Sequence, residues 1–108
     1  MNVVTQMTPA GLKAVMDAGK AHVLLDVREP WELALASIPG SLNIPLNELP
    51  VRLKELDAGS AIIVMCKLGG RSQRAADFLV AQGFGNVANV QGGITAWSRE
   101  IDPDVPEY

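Results

Sequence analysis

The sequence predicts one α/β domain in which a doubly wound, mostly parallel sheet of about five strands has helices on both faces. Two observations predict this fold class. Short apolar runs alternate along the chain with segments of helical spacing, which is the order that builds a parallel sheet with crossover helices. The 108 residues, 48% of them hydrophobic, suit one core and leave little room for a second. Residues 1–108 are therefore predicted to form a single domain.

The N-terminal part of the chain predicts a strand, a helix and a second strand. The first, short strand is expected around residues 3–4. The helix predicted for residues 8–19 begins after Thr8, a favourable capping residue that is followed by proline, and ends at Gly19. The run AHVLLDV, residues 21–27, is typical of a strand that is covered on both faces.

Prolines divide the next part of the chain into short elements. A short helix is predicted from Pro30, over PWELALA. Residues 37–45 contain two prolines and a glycine, which predict a turn, a brief strand near residues 42–44, and another turn. Three leucines in residues 47–56 have the spacing of one helical face, so a helix is predicted there.

The C-terminal part repeats the alternation with stronger signals. The run AIIVMC, residues 61–66, is apolar and rich in β-branched residues, as expected of a central strand. A helix is predicted for residues 71–83, with Gly83 as its end. A short strand over residues 86–90 and a helix over residues 94–101 complete the pattern.

Composition argues against several kinds of partner. Nine basic and twelve acidic residues give a formal net charge of −3, which disfavours nucleic acid or an anionic membrane as the main partner. The longest apolar run, residues 61–66, is far too short to cross a bilayer. A single cysteine cannot form an internal disulfide, and the N-terminus does not resemble an export signal, so a reducing cytoplasm is expected. The sequence predicts no metal site and no cofactor, and nothing in it requires more than a monomer.

The segment VMCKLGGRS, residues 64–72, contains this lone cysteine at the end of the predicted central strand, where α/β folds place their sites. Gly69 and Gly70 allow crowded backbone conformations, so the free amides at the start of the next helix are expected to converge on the Cys66 sulfur. Three basic residues without an acid among them follow the sulfur closely: Lys67, Arg71 and Arg74. We expect these surroundings to lower the thiol pKa from about 8.5 and to keep the sulfur ionised. The alternative is a buried core cysteine followed by a simple turn.

The spacing in this segment separates two reactions of a thiolate. Cysteine phosphatases place five residues between cysteine and arginine, whereas here four residues separate Cys66 from Arg71. Phosphate ester cleavage also needs a general acid, for which Asp26 is conceivable but not positioned by any sequence signal. Attack on the outer sulfur of a donor such as thiosulfate expels sulfite without a proton. It leaves a persulfide that a second nucleophile removes, in a ping-pong reaction without a cofactor.

Four motifs in order give the chain a family resemblance: LLDVREPWEL (24–33), IPGSLNIPLNEL (38–49), VMCKLGGRS (64–72) and VQGGITAW (90–97). Over nearly its whole length the chain resembles the single-domain rhodaneses, a thiosulfate sulfurtransferase-type family. The resemblance implies a doubly wound fold and a persulfide on Cys66 as the catalytic residue. It also implies that the sulfur is bound by the loop from Cys66 to Arg71. The predicted substrate-binding residues are Lys67, Leu68, Gly69, Gly70, Arg71 and Ser72.

Other matching positions are assigned structural roles. Asp26 and Arg28 match the family's Asp-x-Arg. They are predicted to support the site as a partly buried carboxylate that accepts hydrogen bonds and an arginine paired with Glu29, Glu32 or another acid. The pair Gly92–Gly93 and Trp97 are predicted to serve turn formation and packing. Substrate choice is expected to depend on a rim around the loop, for which the sequence suggests Trp31, Leu68 and Arg74.

Two functions remain open at this point. The first is an enzyme that moves sulfane sulfur from a small donor to cyanide or a thiol. The second is a carrier module that accepts a persulfide and delivers sulfur to a protein partner. Both use Cys66 in the same way. A phosphatase or arsenate reductase is disfavoured by the short loop and the missing second thiol, and an inactive interaction domain by the presence of Cys66 in its basic surroundings.

Overall fold

The computed structural model describes residues 3–108 and contains a five-stranded sheet in which every strand pairing is parallel. The strands are β1 (Thr5–Met7), β2 (Val23–Asp26), β3 (Leu42–Asn43), β4 (Ile62–Met65) and β5 (Val87–Val90). The helices are α1 (Pro9–Asp17), α2 (Pro30–Leu35), α3 (Leu49–Arg52), α4 (Gly70–Ala81) and α5 (Gly93–Glu100). The fold class predicted from the sequence is confirmed.

The strand order β1-β5-β4-β2-β3 places β4 at the centre of the sheet, between β2 and β5. The register pairs Leu25 with Val64 on one side of β4 and Ala88 with Ile63 on the other. Because parallel strands end at the same edge, the residues that follow β2, β4 and β5 meet there. This edge brings together the three segments that form the site.

Alternation along β4 divides the core into two halves. Ile62, Val64 and Cys66 lie in the cluster that includes Ala76 and Leu79 of α4. The intervening residues of β4, Ile63 and Met65, lie in the cluster that includes Leu12 of α1 and Trp97 of α5. The period of two is that of a β-strand, and both faces are apolar because both are covered by helices.

Most of the predicted elements occur where the sequence places them. Thr8 caps α1, and its hydroxyl accepts the Gly11 N–H at 3.0 Å. Gly83, two residues after α4, has φ +96° and allows the chain to leave the helix, as predicted. Trp97 is buried, in agreement with the packing role predicted for it. No helix within residues 3–108 is long and apolar enough to cross a bilayer.

Two predicted elements differ from the structure. The first strand begins at Thr5 rather than around residues 3–4, because the pairing with β5 starts there, and Val3 is 71% exposed. The helix predicted for residues 47–56 is broken into a 3-10 turn over Leu46–Glu48, α3, and a second 3-10 turn over Leu53–Glu55. Pro50 has no N–H to bond back to the preceding turn, which favours the division between the first 3-10 turn and α3.

Candidate active site

Cys66 follows β4 directly, and the loop after it leads within four residues to the start of α4 at Gly70. The thiol side chain belongs to the core cluster on the α4 side of the sheet, and the residue is 1% exposed. Gly69 is the capping residue of α4 and has φ +106°, a conformation open to glycine. This turn brings the Gly69 amide back over the Cys66 side chain.

The sulfur has two polar neighbours among the described residues. The Gly69 N–H donates to Sγ at 3.0 Å, and the Ser72 hydroxyl oxygen lies 3.3 Å from Sγ. The Ser72 hydroxyl donates to Asn89 Oδ1 at 2.5 Å, so Asn89 fixes the position of the hydroxyl beside the sulfur. The sequence predicted several amides on the sulfur. Within residues 3–108 the Gly69 amide alone is bonded to it, because the sulfur is carried on the first residue of the loop and Gly69 is the residue that turns back over it.

The first turn of α5 holds the loop from behind. Its Ile94 N–H donates to the Cys66 carbonyl at 2.9 Å, and its Thr95 N–H donates to the Lys67 carbonyl at 3.2 Å. Gly93 lies so close that a Cβ there would be 2.4 Å from both carbonyl oxygens. The free amides of a helix start thus bind the backbone of the cysteine loop, and the second glycine of VQGG makes that approach possible. The packing predicted for the Gly92–Gly93 pair is therefore the close contact of Gly93 with the carbonyl groups of Cys66 and Lys67.

Asn89 on β5 connects the sulfur's neighbours to each other. Its side chain is buried, and its Nδ2 donates to the carbonyl of Gly69 at 3.4 Å and to Gln6 and Gln73 at 3.1 and 3.2 Å. Sequence reasoning missed this residue. Its signal was a polar side chain within the otherwise apolar strand VANV.

Asp26 and Arg28 form a fully buried ion pair beside the loop. Arg28 Nη2 lies 2.6 Å from Asp26 Oδ2 and also donates to the Ala36 carbonyl at 2.9 Å. The sequence offered Glu29, Glu32 or another acid as the partner of Arg28, and the partner is Asp26 itself. Asp26 is completely buried rather than partly buried, because it ends the covered strand β2. The pair connects the end of β2 to the chain beyond α2.

Arg71 is bound to an acid that the sequence did not assign to it. Its guanidinium makes two parallel bonds to Glu32 of α2, Nη1 to Oε2 at 2.6 Å and Nη2 to Oε1 at 2.9 Å. The Arg71 bonds lower the pKa of the Glu32 carboxyl to about 2, with help from the Glu29 N–H, and the same bonds raise the pKa of Arg71. The guanidinium therefore anchors the start of α4 to α2, and its two bonded N–H groups are directed to a carboxylate rather than to the sulfur.

A shallow depression of about 360 Å³ opens over the loop and is lined by Cys66, Lys67, Leu68, Gly70, Arg71 and Arg74. The lining residues include three cations and one apolar side chain, Leu68, which is 65% exposed. The predicted rim is present in part: Leu68 and Arg74 line the depression, whereas Trp31 is 63% exposed and packs edge-on against Tyr108. Within residues 3–108 no group of three or more potential ligand side chains is arranged to hold a metal ion.

Comparisons with known proteins identify relatives of this chain. The model of the family described as "Rhodanese-like domain" matches residues 8–100. A "Sulfurtransferase" of Allochromatium vinosum is 39% identical over 83 residues, covering 77% of this chain and 78% of its own length. A rhodanese-related protein of Thermoplasma volcanium has a crystal structure that superposes with a TM-score of 0.81 at 39% identity, covering 90% of this chain and 93% of its own.

A longer protein of Zea mays also matches. It is named "Adenylyltransferase and sulfurtransferase MOCS3-2" and is 43% identical over 103 residues, covering 89% of this chain. The match covers 21% of that protein, so the chain spans about a fifth of its length.

Gly93→Ala should lower the free energy of unfolding, because the added Cβ would overlap the carbonyl groups of Cys66 and Lys67. A left-handed conformation costs a non-glycine residue about 1–2 kcal/mol, and overlap with backbone atoms should add about 1–3 kcal/mol. The matched control is Gly19→Ala, since Gly19 has φ +65° against +59° for Gly93 but has nothing within 4 Å of an added Cβ. Urea unfolding of both variants separates the cost of the left-handed conformation, which both share, from the cost of overlap, which only Gly93→Ala has. Equal losses in the two variants would show that the approach of Gly93 to the loop is unimportant.

Glu32→Gln should lower the free energy of unfolding by about 1–3 kcal/mol at pH 7, because it weakens the bonds to Arg71. The folded-state pKa is depressed, so this contribution is present above the unfolded pKa of about 4.3 and is lost as the pH falls toward 2. Urea unfolding should therefore show that the difference in the free energy of unfolding between the parent protein and Glu32→Gln becomes smaller from pH 7 to pH 5 and pH 3. Glu55→Gln is the control, because Glu55 pairs with Arg52 at the surface, and its free energy of unfolding at pH 7 should fall much less than that of Glu32→Gln. A difference for Glu32→Gln that does not change with pH would contradict the assignment.

Proposed function

The chain belongs to the rhodanese-like domain family, and from that premise we propose that it is a sulfurtransferase that carries sulfane sulfur as a persulfide on Cys66. One observation supports the assignment above the others. The only thiol of the chain lies at the floor of a depression with three cations and accepts a backbone N–H from the loop that leads into α4. A thiolate in such surroundings is a strong nucleophile toward an anionic sulfur donor.

In the first step the Cys66 thiolate attacks the outer sulfur of thiosulfate. A bond forms between Sγ and that sulfur, the sulfur–sulfur bond of the donor breaks, and its electron pair leaves with sulfite. The product is an anionic persulfide, so the total charge is conserved and no proton is transferred. Lys67 and Arg74 supply the positive charge that favours approach of a dianionic donor. The Gly69 N–H remains within hydrogen-bond distance of the attacking sulfur.

In the second step a nucleophile removes the outer sulfur and restores the Cys66 thiolate. If cyanide is the acceptor, the product is thiocyanate. If a thiol is the acceptor, the product is the persulfide of that thiol. The terminal sulfur of the intermediate reaches beyond Sγ, and we propose that the amides of Leu68, Gly70 and Arg71, which are not bonded to Sγ itself, bind it there. Cys66, Lys67, Leu68, Gly69, Gly70, Arg71 and Ser72 thus remain the proposed catalytic and substrate-binding residues. Asp26 and Arg28 support them by fixing the end of β2.

A carrier function in a sulfur relay is the second candidate, and it is favoured by the exposed apolar surface beside the depression. Leu68 lines the depression and is 65% exposed, and an exposed apolar side chain at a site entrance suits a protein acceptor better than cyanide. The Zea mays relative is named both an adenylyltransferase and a sulfurtransferase, and this chain matches about a fifth of it. In this case a protein thiol or persulfide would be the partner of Cys66. A monomer in a reducing compartment such as the cytoplasm suits either function.

Incubation with thiosulfate should add one sulfur atom to the intact protein, and cyanide should remove it. The chain has one cysteine, so the adduct is assigned to Cys66 by mass alone, and Cys66→Ala should acquire none. Electrospray mass spectrometry measures each state, and thiocyanate release measures turnover.

The outcomes separate the two candidates. Repeated turnover with cyanide supports the enzyme. Loading from a persulfide donor, with slow release to cyanide and fast release to a protein thiol, supports the carrier. A protein that gains sulfur from neither thiosulfate nor a persulfide donor would contradict both.

A further inference from the structure

We propose that Tyr108 is a positioning residue of the site, because its ring holds the Lys67 ammonium at the mouth above Cys66 and thereby favours anionic sulfur donors. The proposal rests on the proposed function for the identity of the donor, but not for the electrostatic effect on the thiol. It concerns the C-terminal segment, residues 102–108, to which the sequence assigned no part in the chemistry.

The segment is held against α5 by several contacts. The Ser98 hydroxyl of α5 donates to the Val105 carbonyl. Within the segment, the Val105 N–H donates to the Asp102 carbonyl at 3.1 Å and forms a turn. The Val105 side chain is buried in the core cluster that includes Trp97. Arg99 pairs with Glu107 at 2.8 Å. These contacts direct the last described residue back across the carboxyl edge of the sheet, toward the loop.

The Tyr108 hydroxyl is anchored by two groups of the site. It accepts a hydrogen bond from Arg28 Nη1 at 2.9 Å and donates one to Glu32 Oε1 at 2.8 Å. Burial raises the pKa of the phenol, so the proton needed for the bond to Glu32 is present at neutral pH. The same Glu32 oxygen accepts from Arg71 Nη2. The hydroxyl therefore joins the buried Asp26–Arg28 pair to the pair that anchors α4.

The Tyr108 ring is the surface on which Lys67 lies. Lys67 Nζ is 4.6 Å from the ring centroid, within the range of a cation–π interaction. Trp31 meets the ring edge-on at 6.5 Å between centroids, with the planes at 79°, and so limits its rotation. Lys67 has no acidic partner within the described part of the chain, so the ring is what restricts the position of its ammonium. The residue next to the nucleophile thus carries a charge whose position depends on Tyr108.

Alkylation of Cys66 tests the proposal without any sulfur transfer. Iodoacetate is anionic and iodoacetamide is neutral, and both react with the one thiol of the chain. The ratio of their rate constants therefore reports the positive charge near the sulfur. Tyr108→Leu should lower this ratio about two- to fivefold, and Lys67→Gln should lower it at least as much. Tyr108→Phe keeps the ring and should stay within about twofold of the parent protein.

A double-mutant cycle shows whether Tyr108 acts through Lys67. The Tyr108→Leu, Lys67→Gln protein should have the ratio of Lys67→Gln alone, since the ring then has no ammonium to hold. In steady-state assays Tyr108→Leu should raise the KM for thiosulfate about two- to fivefold with a smaller change in kcat. High salt should reduce the difference between the variants.

A merely structural role for Tyr108 predicts a different result. In that case both alkylation rates would change together, the ratio would stay at its parent value, and the proposal would be overturned. If Tyr108→Leu does not fold, as judged by circular dichroism, Tyr108→Met removes the ring with an unbranched side chain and is measured in its place. A protein that never gains sulfur from thiosulfate but shows the expected ratios would contradict the proposed function and leave this proposal intact. Normal sulfur loading with unchanged ratios would contradict this proposal alone.

Discussion

The packing of the first turn of α5 against the carbonyl groups of Cys66 and Lys67 is the contact on which the rest of the site depends. A loop of four residues between a strand and a helix has few contacts of its own, and its backbone groups need partners. The Ile94 and Thr95 amides satisfy two of its carbonyls, and Gly93 has no side chain to keep them apart. The loop is thereby fixed from the side opposite the solvent, and its sulfur faces the depression.

Charge around the sulfur is arranged in two layers. In the first layer, the buried Asp26–Arg28 pair and the part-buried Glu32–Arg71 pair join β2, α2 and α4, and the Tyr108 hydroxyl connects the two pairs. At the surface, Lys67 and Arg74 line the depression. The pairs in the first layer fix the relative positions of β2, α2 and α4. They add little net charge near the sulfur, because each arginine there is paired with a carboxylate. The field that an anionic donor would experience therefore comes mainly from the second layer.

This division explains why the arginine of the loop motif is bound to an acid. A bidentate bond to Glu32 orients the guanidinium and fixes the start of α4, from which Ser72 approaches the sulfur. Asn89 then fixes Ser72 and the Gly69 carbonyl from the neighbouring strand. The proposed reaction needs a nucleophile, a small anionic donor and no acid catalyst, and a buried sulfur with one amide donor and two nearby cations suits that requirement.

The sequence by itself determined the local features of this protein. The caps and turns at Thr8 and Gly83 depend on interactions between residues close in the chain, and the apolar strand runs and the position of Cys66 at the end of one are visible in the residue pattern; these were predicted. Of the helix predicted over residues 47–56, only Leu49–Arg52 is α-helical, because leucine spacing does not show that the donor missing at Pro50 separates the preceding turn from the helix.

Only the tertiary structure decided which distant side chains meet the loop. Glu32 lies 39 residues from Arg71, and Tyr108 lies 76 residues from Glu32. Such partners are selected by strand order and by the path of the C-terminal segment. Neither leaves a period or a spacing in the sequence, because the free energy that favours these contacts arises only after the sheet has brought their elements to one edge.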